Sequence, residues 1–262
     1  MRIIMNKLSF VFLVGFTLLS SCTTPRDIAY LQDVQENQPI QTQSDGYIRF
    51  QKGDKLNIYV YSHDEQLMNL FNVISRMGTS NNNNQHNAAY TVDDSGNIDF
   101  PVLGTITIEG LTRDEVAKHI KEQLIANSLV KDPVITVTFY NMTFSVLGNA
   151  GAGVKEITKD RTTLMEALAM ASDLQIDGLR KNVLVMRQED DKQVPYRVDL
   201  TSAKSVYNSP AYYIQQRDVI YVEPNNKYKR NSTVMGSTAF QPAFWMSLVS
   251  FLTTMAFIFI KK

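Results

Sequence analysis

The residue types that could do chemistry are few and scattered. His63, His86 and His119 have no neighbours at a metal-ligand spacing, so we interpret them as solvated surface residues. The sequence GNAGAG at 148–153 lacks the G-x-G-x-x-G spacing, and no Lys-Ser/Thr pair follows it. This run therefore predicts a turn after a strand rather than a phosphate-binding loop.

The acidic residues do not form a catalytic pattern either. The adjacent pairs at 93–94 and 190–191 lie in predicted turns, where aspartates ordinarily form the turn and remain solvated. No G-x-S-x-G sequence occurs. We therefore predict no catalytic residue, no metal site and no cofactor, and we expect a protein that is not an enzyme. Basic and acidic residues number 26 each, so the net charge of zero gives no support to a nucleic-acid partner.

The single cysteine, Cys22, lies at the end of a secretory signal. A short basic region precedes an apolar run at residues 8–19, which is too short to span a bilayer comfortably. The run ends in Leu-Ser-Ser-Cys, which resembles a bacterial lipobox. Residues 1–21 are thus predicted to be a lipoprotein signal peptide, and Cys22 to carry fatty-acyl chains such as palmitate. The alternative is a plain signal peptide followed by an unmodified thiol.

The residues after Cys22 bear on the location of the lipid anchor. Positions 23–26 contain no acidic residue, so the inner-membrane retention signal of enteric lipoproteins is missing. By that analogy the anchor lies in the cell outer membrane, with the body of the protein in the periplasm. Residues 22–46 are polar and predict a tether.

Residues 47–141 show the pattern of a small α+β domain. Apolar and polar residues alternate at 56–61, which predicts a half-buried strand, and the turn at 93–96 predicts a hairpin between 91–92 and 97–100. A further strand is predicted at 105–108. Thr112 and Glu115 form a capping box that opens a helix, and a last strand follows the Asp-Pro pair at 132–133.

Residues 142–224 predict a second domain, in which several strands surround one helix. Thr163 and Glu166 form another capping box at the start of that helix. This combination suggests a β-grasp-like module. The predicted strands lie at 144–147, 182–187, 195–199 and 218–222.

The C-terminal region divides into a polar linker at 225–242 and an uncharged apolar segment at 243–260. Eighteen helical residues would extend about 27 Å, close to the hydrocarbon thickness of about 30 Å, so the segment predicts a transmembrane helix rather than a buried core helix. Basic residues flank both ends, so the charge rule leaves the orientation open. Ser247, Ser250 and Thr254 fall on one stripe of this helix, which could face a pore or pack against another helix. The alternative is that helices ordinarily tolerate serine and threonine, which accounts for the stripe equally well.

Several of these segments together resemble the outer-membrane polysaccharide export (OPX) auxiliary proteins. The sequences YIRFQKGDKLNIYV at 47–60, YTVDDSGNIDFPVLGTITIEGLT at 90–112 and DPVITV at 132–137 are similar to the polysaccharide export domain of that family. Residues 142–224 resemble its soluble-ligand-binding β-grasp (SLBB) module. The sequences that carry this second likeness are VLG at 146–148, TTLMEALAMAS at 162–172 and SPAYYIQQRDVIYVEP at 209–224.

The resemblance implies a ring-forming lipoprotein that gives capsular polysaccharide or exopolysaccharide a passive, porin-like conduit. It implies further copies of the chain, an inner-membrane polysaccharide co-polymerase, the exported polymer and membrane lipid as partners. A periplasmic scaffold or adaptor is the alternative. The chain departs from larger members in having one SLBB module instead of two or more, and its glycine-rich turn lacks the usual proline. The matching family motif residues, for which we expect structural roles, are Gly53, Asp54, Gly96, Pro101, Gly104, Pro133, Gly148 and Asp218.

Overall fold

The structure is a computed structural model of the 262-residue chain, and it describes residues 28–42, 45–63, 65–72, 89–189, 192–233 and 242–260. These residues form a mixed α+β fold, as the sequence predicts. Residues 47–141 are called the first domain and residues 142–224 the second domain. The predicted signal peptide at residues 1–21, Cys22 and His86 lie outside the described residues.

The elements of the first domain are β1 (Lys55–Tyr61), α1 (Glu65–Phe71), β2 (Tyr90–Thr91), β3 (Asn97–Phe100), β4 (Gly104–Thr107), α2 (Arg113–Ala126) and β5 (Val134–Tyr140). They form a three-stranded antiparallel sheet in the order β2-β1-β5 and a separate two-stranded hairpin, β3-β4. Leu56, Ile58 and Val60 on β1 are fully buried, which confirms the predicted alternation.

Helix α2 begins at the predicted capping box. The Thr112 hydroxyl accepts the Glu115 N–H at 3.3 Å, and the Glu115 carboxylate accepts the Thr112 N–H at 2.8 Å. One face of α2 is fully buried through Val116, Ile120 and Leu124. This face packs against β5 because apolar residues recur every four positions along it.

The predicted hairpin between 91–92 and 97–100 is wrong in its pairing. Strand β2 pairs with Lys55 and Leu56 of β1, whereas β3 pairs with β4. The physical reason lies in β2, which is only two residues long and is followed at once by the Val92 N–H donating to the Asp54 oxygen at 2.9 Å, so this segment completes the sheet of β1 instead. The Asp93 carboxylate accepts the N–H groups of Ser95 and Asn97, both at 2.8 Å, in the turn before β3.

The elements of the second domain are β6 (Thr143–Gly148), β7 (Gly153–Glu156), α3 (Leu164–Met170), β8 (Gly178–Glu189), β9 (Lys192–Val198), α4 (Ala203–Tyr207) and β10 (Val219–Pro224). Its strands form one sheet in the order β7-β6-β10-β8-β9. The neighbours β6 and β10 are parallel, and the other pairs are antiparallel. Helix α3 begins at the predicted Thr163–Glu166 capping box, and Leu164, Ala167 and Leu168 of this helix are buried.

Part of the predicted tether is bound to the second domain. We call residues 28–33 the strap. The N–H of Leu31 donates to the Leu200 oxygen at 3.0 Å, and the N–H of Gln32 donates to the Thr201 oxygen at 2.7 Å. The Asp33 carboxylate also accepts hydrogen bonds at the start of α4. The strap therefore fixes the N-terminal segment to the second domain.

Two helices follow the second domain. Helix α5 (Asn226–Asn231) occupies part of the predicted linker, and α6 (Pro242–Ile260) coincides with the apolar segment. Within the described ranges, no helix is both long enough and apolar enough to cross a membrane. The predicted helix is thus present, but its prediction as a transmembrane helix is not supported.

Candidate functional site: two buried aspartates at the domain junction

The first buried aspartate, Asp54, closes a tight turn that leads into β1. Its carboxylate accepts the Gln51 N–H at 2.9 Å, and its own N–H donates to the Gln51 oxygen at 3.1 Å. Gly53 between them has a φ of 79°, which a glycine adopts without steric cost. The Gly53 N–H donates to the Val92 oxygen at 2.8 Å, and the Val92 N–H donates to the Asp54 oxygen at 2.9 Å. The turn is thus joined to the segment after β2.

The second buried aspartate, Asp218, closes an equivalent turn that leads into β10. Its carboxylate accepts the Gln215 N–H at 2.8 Å, and its N–H donates to the Gln215 oxygen at 3.3 Å. Arg217 occupies the position of Gly53 and has a φ of 65°. The Arg217 N–H donates to the Thr143 oxygen at 2.8 Å, and the Ser145 N–H donates to the Asp218 oxygen at 2.9 Å.

The two turns therefore share the same hydrogen-bonding scheme. Each has a glutamine at the first position, a residue with positive φ at the third and a fully buried aspartate at the fourth. Each is followed by a strand whose alternate residues are buried. The corresponding sequences are QKGDKLNIYV at 51–60 and QQRDVIYVEP at 215–224. Gly53, Asp54 and Asp218, for which the sequence predicts structural roles, all lie in these two turns.

Asp218 is paired with a guanidinium group. Arg187 of β8 contacts both carboxylate oxygens, through Nε at 3.1 Å and Nη2 at 2.7 Å. The same guanidinium donates to the backbone oxygens of Pro210 at 3.1 Å and Tyr213 at 2.7 Å. Arg187 therefore ties β8, β10 and the loop before β10 together, with the bidentate geometry that a carboxylate favours.

Arg217 links the two turns across the domain junction. Its Nη2 lies 3.3 Å from the Asp54 Oδ1, and its Nη1 lies 3.4 Å from the Lys52 oxygen. The residue with positive φ in the second turn thus contacts the buried carboxylate of the first. Because a non-glycine residue rarely adopts this conformation, the position keeps a long cationic side chain at a local cost in backbone strain.

Three further contacts join the domains. The Arg113 guanidinium at the start of α2 lies 2.6 Å from the Asp160 carboxylate, and the Ile48 N–H donates to the Asp160 oxygen at 3.0 Å. The Arg161 guanidinium lies over the Tyr47 ring, 4.6 Å from its centroid, a cation–π contact. The junction is therefore held by charged side chains from both domains.

Burial sets the electrostatics of the two aspartates. It raises the pKa of Asp54 above the ordinary carboxyl range, and the Gln51 N–H and the Arg217 charge oppose that rise. Burial likewise raises the pKa of Asp218, against the hydrogen bonds and charge of Arg187. A buried carboxylate is tolerated where cations and N–H groups surround it, as they do here.

The other predicted residues lie away from this junction. Gly148 has a φ of 86°, and a Cβ there would lie 2.1 Å from the Val222 oxygen, so the close pairing of β6 with β10 requires glycine. Gly96 lies in the turn before β3, Pro101 directly follows β3, Gly104 begins β4, and Pro133 precedes β5. These residues form turns at strand ends and do not meet in one site.

Two of the three hydroxyl groups in the α6 stripe donate to backbone oxygens of the same helix. The Ser247 hydroxyl donates to the Phe244 oxygen at 2.9 Å, and the Thr254 hydroxyl donates to the Ser250 oxygen at 2.8 Å. Their role in a pore or in helix packing stays a prediction. Across the described ranges, no group of three His, Cys, Asp or Glu residues could hold a metal ion.

Comparison with known proteins bears on the first domain. Residues 42–140 match the family model described as polysaccharide biosynthesis/export protein. This part of the chain is therefore similar to a polysaccharide export domain. The match covers 99 of the 262 residues, includes the Asp54 turn and ends with the last residue of β5. No curated protein matches the chain.

Sequence analysis missed the two arginines of the junction. Arg187 lies 31 positions before Asp218, and Arg217 lies 163 positions after Asp54, so neither pairing follows from local spacing. The one available signal was the likeness between the sequences at 51–60 and 215–224. Aligning them places Arg217 opposite Gly53, which marks it as a residue with positive φ.

Proposed function

We propose that this protein is a lipid-anchored component of the machinery that exports capsular polysaccharide or exopolysaccharide at the outer membrane. The observation that carries the proposal is the match of residues 42–140 to the family model for polysaccharide biosynthesis/export proteins. The proposed anchor is Cys22, and the proposed place of the folded body is the periplasm. The second domain is proposed to be an SLBB module, since it combines a mixed five-stranded sheet with the short helix α3, whose apolar face is buried.

In the leading form of the proposal, several copies assemble into a ring that forms a conduit or part of one. Helix α6 supports assembly because it exposes large apolar side chains, among them Trp245, Met246 and Phe251, which are more than half exposed. Such a surface on a soluble monomer would favour association. The charged contacts of the junction would keep the two domains of each copy in one orientation, so that successive copies could repeat the same interface.

The proposed role is passive. A polymer in transit requires a wide polar path, because tight binding of each sugar would slow its passage. An inner-membrane co-polymerase is the proposed partner below the ring, and synthesis of the polymer is the proposed source of energy. We propose no enzymatic step. Polysaccharide turnover by the purified protein, abolished by one point substitution, would overturn this part.

A periplasmic adaptor is the second candidate. The observation that favours it is the open face of the second sheet, where Leu147 and Val154 are 49% and 67% exposed. A partner protein could cover this face. In that case α6 would serve attachment only, and another protein would provide the path for the polymer.

The test complements a strain that lacks the protein and measures polysaccharide at the cell surface and inside the cell. The wild-type chain should restore surface polymer. Deletion of residues 243–262 and Cys22→Ala should both leave polymer inside, and Cys22→Ala should also yield an unacylated, mislocalised protein. Imaging of the detergent-extracted protein should show rings with a central opening. Monomers in detergent, with normal surface polymer after the deletion, would contradict the conduit and favour the adaptor.

A further inference from the structure

The strap and the residue just before α5 both attach to one loop of the second domain. We call residues 173–178 the corner loop. The Tyr30 hydroxyl of the strap donates to the Asp173 carboxylate at 2.5 Å, and the Arg180 guanidinium lies 5.7 Å from the Tyr30 ring centroid. At the other end of the loop, the Asn225 N–H donates to the Asp177 oxygen at 2.7 Å, and the Asn225 side-chain amide contacts the Asp177 carboxylate at 3.2 Å. Helix α5 begins directly after Asn225.

The length of chain before the strap limits how far the corner loop can lie from the proposed lipid anchor. Tyr30 lies eight positions after Cys22. A fully extended chain covers at most about 3.5 Å per residue, so this segment reaches no more than about 28 Å. Because Tyr30 is bonded to Asp173, an acylated Cys22 would hold the corner loop within that distance of the bilayer.

The surface at this corner has the composition of a membrane contact. Ile176, at the tip of the corner loop, is 66% exposed, and Tyr228 on α5 is 51% exposed. Exposed apolar and aromatic side chains of this kind are favoured where protein meets the headgroups. Helix α5 reads NKYKRN and carries Lys227, Lys229 and Arg230 in one and a half turns. A cluster of this kind attracts anionic lipids.

The acidic residues of the corner keep their charge but are bonded within the protein. Asp173 accepts the Tyr30 hydroxyl and the Leu174 N–H, and Asp177 accepts the Asn225 amide. Glu223 pairs with Lys229 at 2.7 Å, so this lysine is partly neutralised. The exposed Lys227 and Arg230, together with Ile176 and Tyr228, are the cationic and apolar groups that this corner offers to a headgroup layer.

We propose that the corner loop and helix α5 together form the surface by which the protein rests on a bilayer containing anionic phospholipid. The inference rests on the proposed lipid anchor at Cys22, which would bring the corner to the membrane. The strap sets the orientation, since it ties the N-terminal segment to the second domain before the chain enters the export domain. The export domain would then lie further from the bilayer.

The test places a single environment-sensitive nitrobenzoxadiazole (NBD) label on the full-length acylated protein. Acylation blocks the Cys22 sulfur, so an introduced cysteine is the only free thiol. The test positions are Ile176→Cys and Tyr228→Cys. The matched control is Val102→Cys in the export domain, which is 55% exposed. The protein is reconstituted into vesicles of phosphatidylcholine with or without phosphatidylglycerol, both carrying a spin-labelled headgroup as quencher.

We expect NBD at 176 and 228 to be quenched about twofold more than NBD at 102, because only the corner enters the headgroup layer. We expect the difference to shrink when phosphatidylglycerol is omitted or when Lys227→Glu is added. Equal quenching at the three positions on vesicles that carry the protein would overturn this inference and leave the lipid anchor intact. If the expressed wild-type protein carries no acyl chain and does not float with vesicles, the lipid anchor and this inference are both wrong.

Discussion

Removing the Arg187 guanidinium tests whether the buried aspartate of the second turn depends on its partner. The Arg187 side chain is 11% exposed, and the Asp218 side chain is fully buried. Arg187→Met keeps much of the apolar length of the side chain but removes two contacts to the carboxylate and two to backbone oxygens. Asp218 would remain as a buried charge without a cation.

The expected loss of unfolding free energy is about 3–5 kcal/mol, the range found when one partner of a buried ion pair is removed. With a urea m-value of about 2 kcal/mol per molar, the midpoint for the second domain should fall by about 2 M. Urea unfolding followed by circular dichroism measures this loss. Hydrogen exchange of the Gln215 and Ser145 amides, which bond directly to Asp218, locates it in the second turn.

Two matched variants separate the buried charge from other effects. Adding Asp218→Asn to Arg187→Met removes the unpaired charge, so it should recover a large part of the lost stability. Lys118→Met breaks a surface pair whose side chains are 78% and 64% exposed, and it should change stability by no more than about 0.5 kcal/mol. The reasoning fails if Arg187→Met costs as little as Lys118→Met.

The pH dependence provides a second check. Burial raises the pKa of Asp218, and loss of the guanidinium should raise that pKa further. A carboxyl group whose folded pKa exceeds its unfolded value contributes stability that is complete below the unfolded pKa and is lost as pH rises through the folded pKa. Arg187→Met should therefore be more unstable, relative to wild type, at pH 8 than at pH 5. A deficit that is the same at both pH values would refute the assignment.

Three further predictions concern the turns and the strap. Gly148→Ala should destabilise the second domain well beyond Gly110→Ala in thermal unfolding, because both glycines have positive φ but only Gly148 would place a Cβ against the backbone of β10. Arg217→Gly should relieve the strain of a positive φ, so the urea midpoint of the second domain should not fall. It should nevertheless speed hydrogen exchange around Asp54, because the guanidinium contact to that carboxylate is lost. Slower or unchanged exchange around Asp54 would contradict a link between the two turns through Arg217. Hydrogen bonds from the Ser202 hydroxyl and the Ala203 N–H lower the pKa of Asp33. The strap is therefore stabilised at pH values above the ordinary carboxyl pKa and should loosen as pH falls through the lowered pKa. Asp33→Asn should remove this pH dependence from hydrogen exchange at the Leu31 amide.

Features fixed by local sequence could be predicted. The two capping boxes start α2 and α3 at the predicted residues, because each needs only a threonine and a glutamate three positions apart. The alternation in β1 was visible for the same reason. Gly53 and Gly148 were singled out from family motifs, and their positive φ values explain the need for glycine.

Features that depend on distant parts of the chain could not be predicted. The hairpin around residues 93–96 was assigned the wrong partner strand, since a two-residue β2 carries too little pattern to show that it joins β1. The strap was interpreted as a polar tether, because Asp33 gives no sign in sequence that it binds the start of α4 some 170 residues later. The arginine partners of the buried aspartates were missed for the same reason.

The position of β10 has a consequence for how the second domain is made. This strand lies between β6 and β8, although it is the last of the five to be synthesised. Its register joins Val219 to Ser145, 74 positions earlier, so β6 and β8 each keep an unpaired edge until residues 219–224 have been made. Closing so long a loop is slow relative to forming local hairpins. The second domain of a nascent chain would consequently remain incomplete until β10 has been synthesised, whereas the sheets of the first domain need no residue beyond β5.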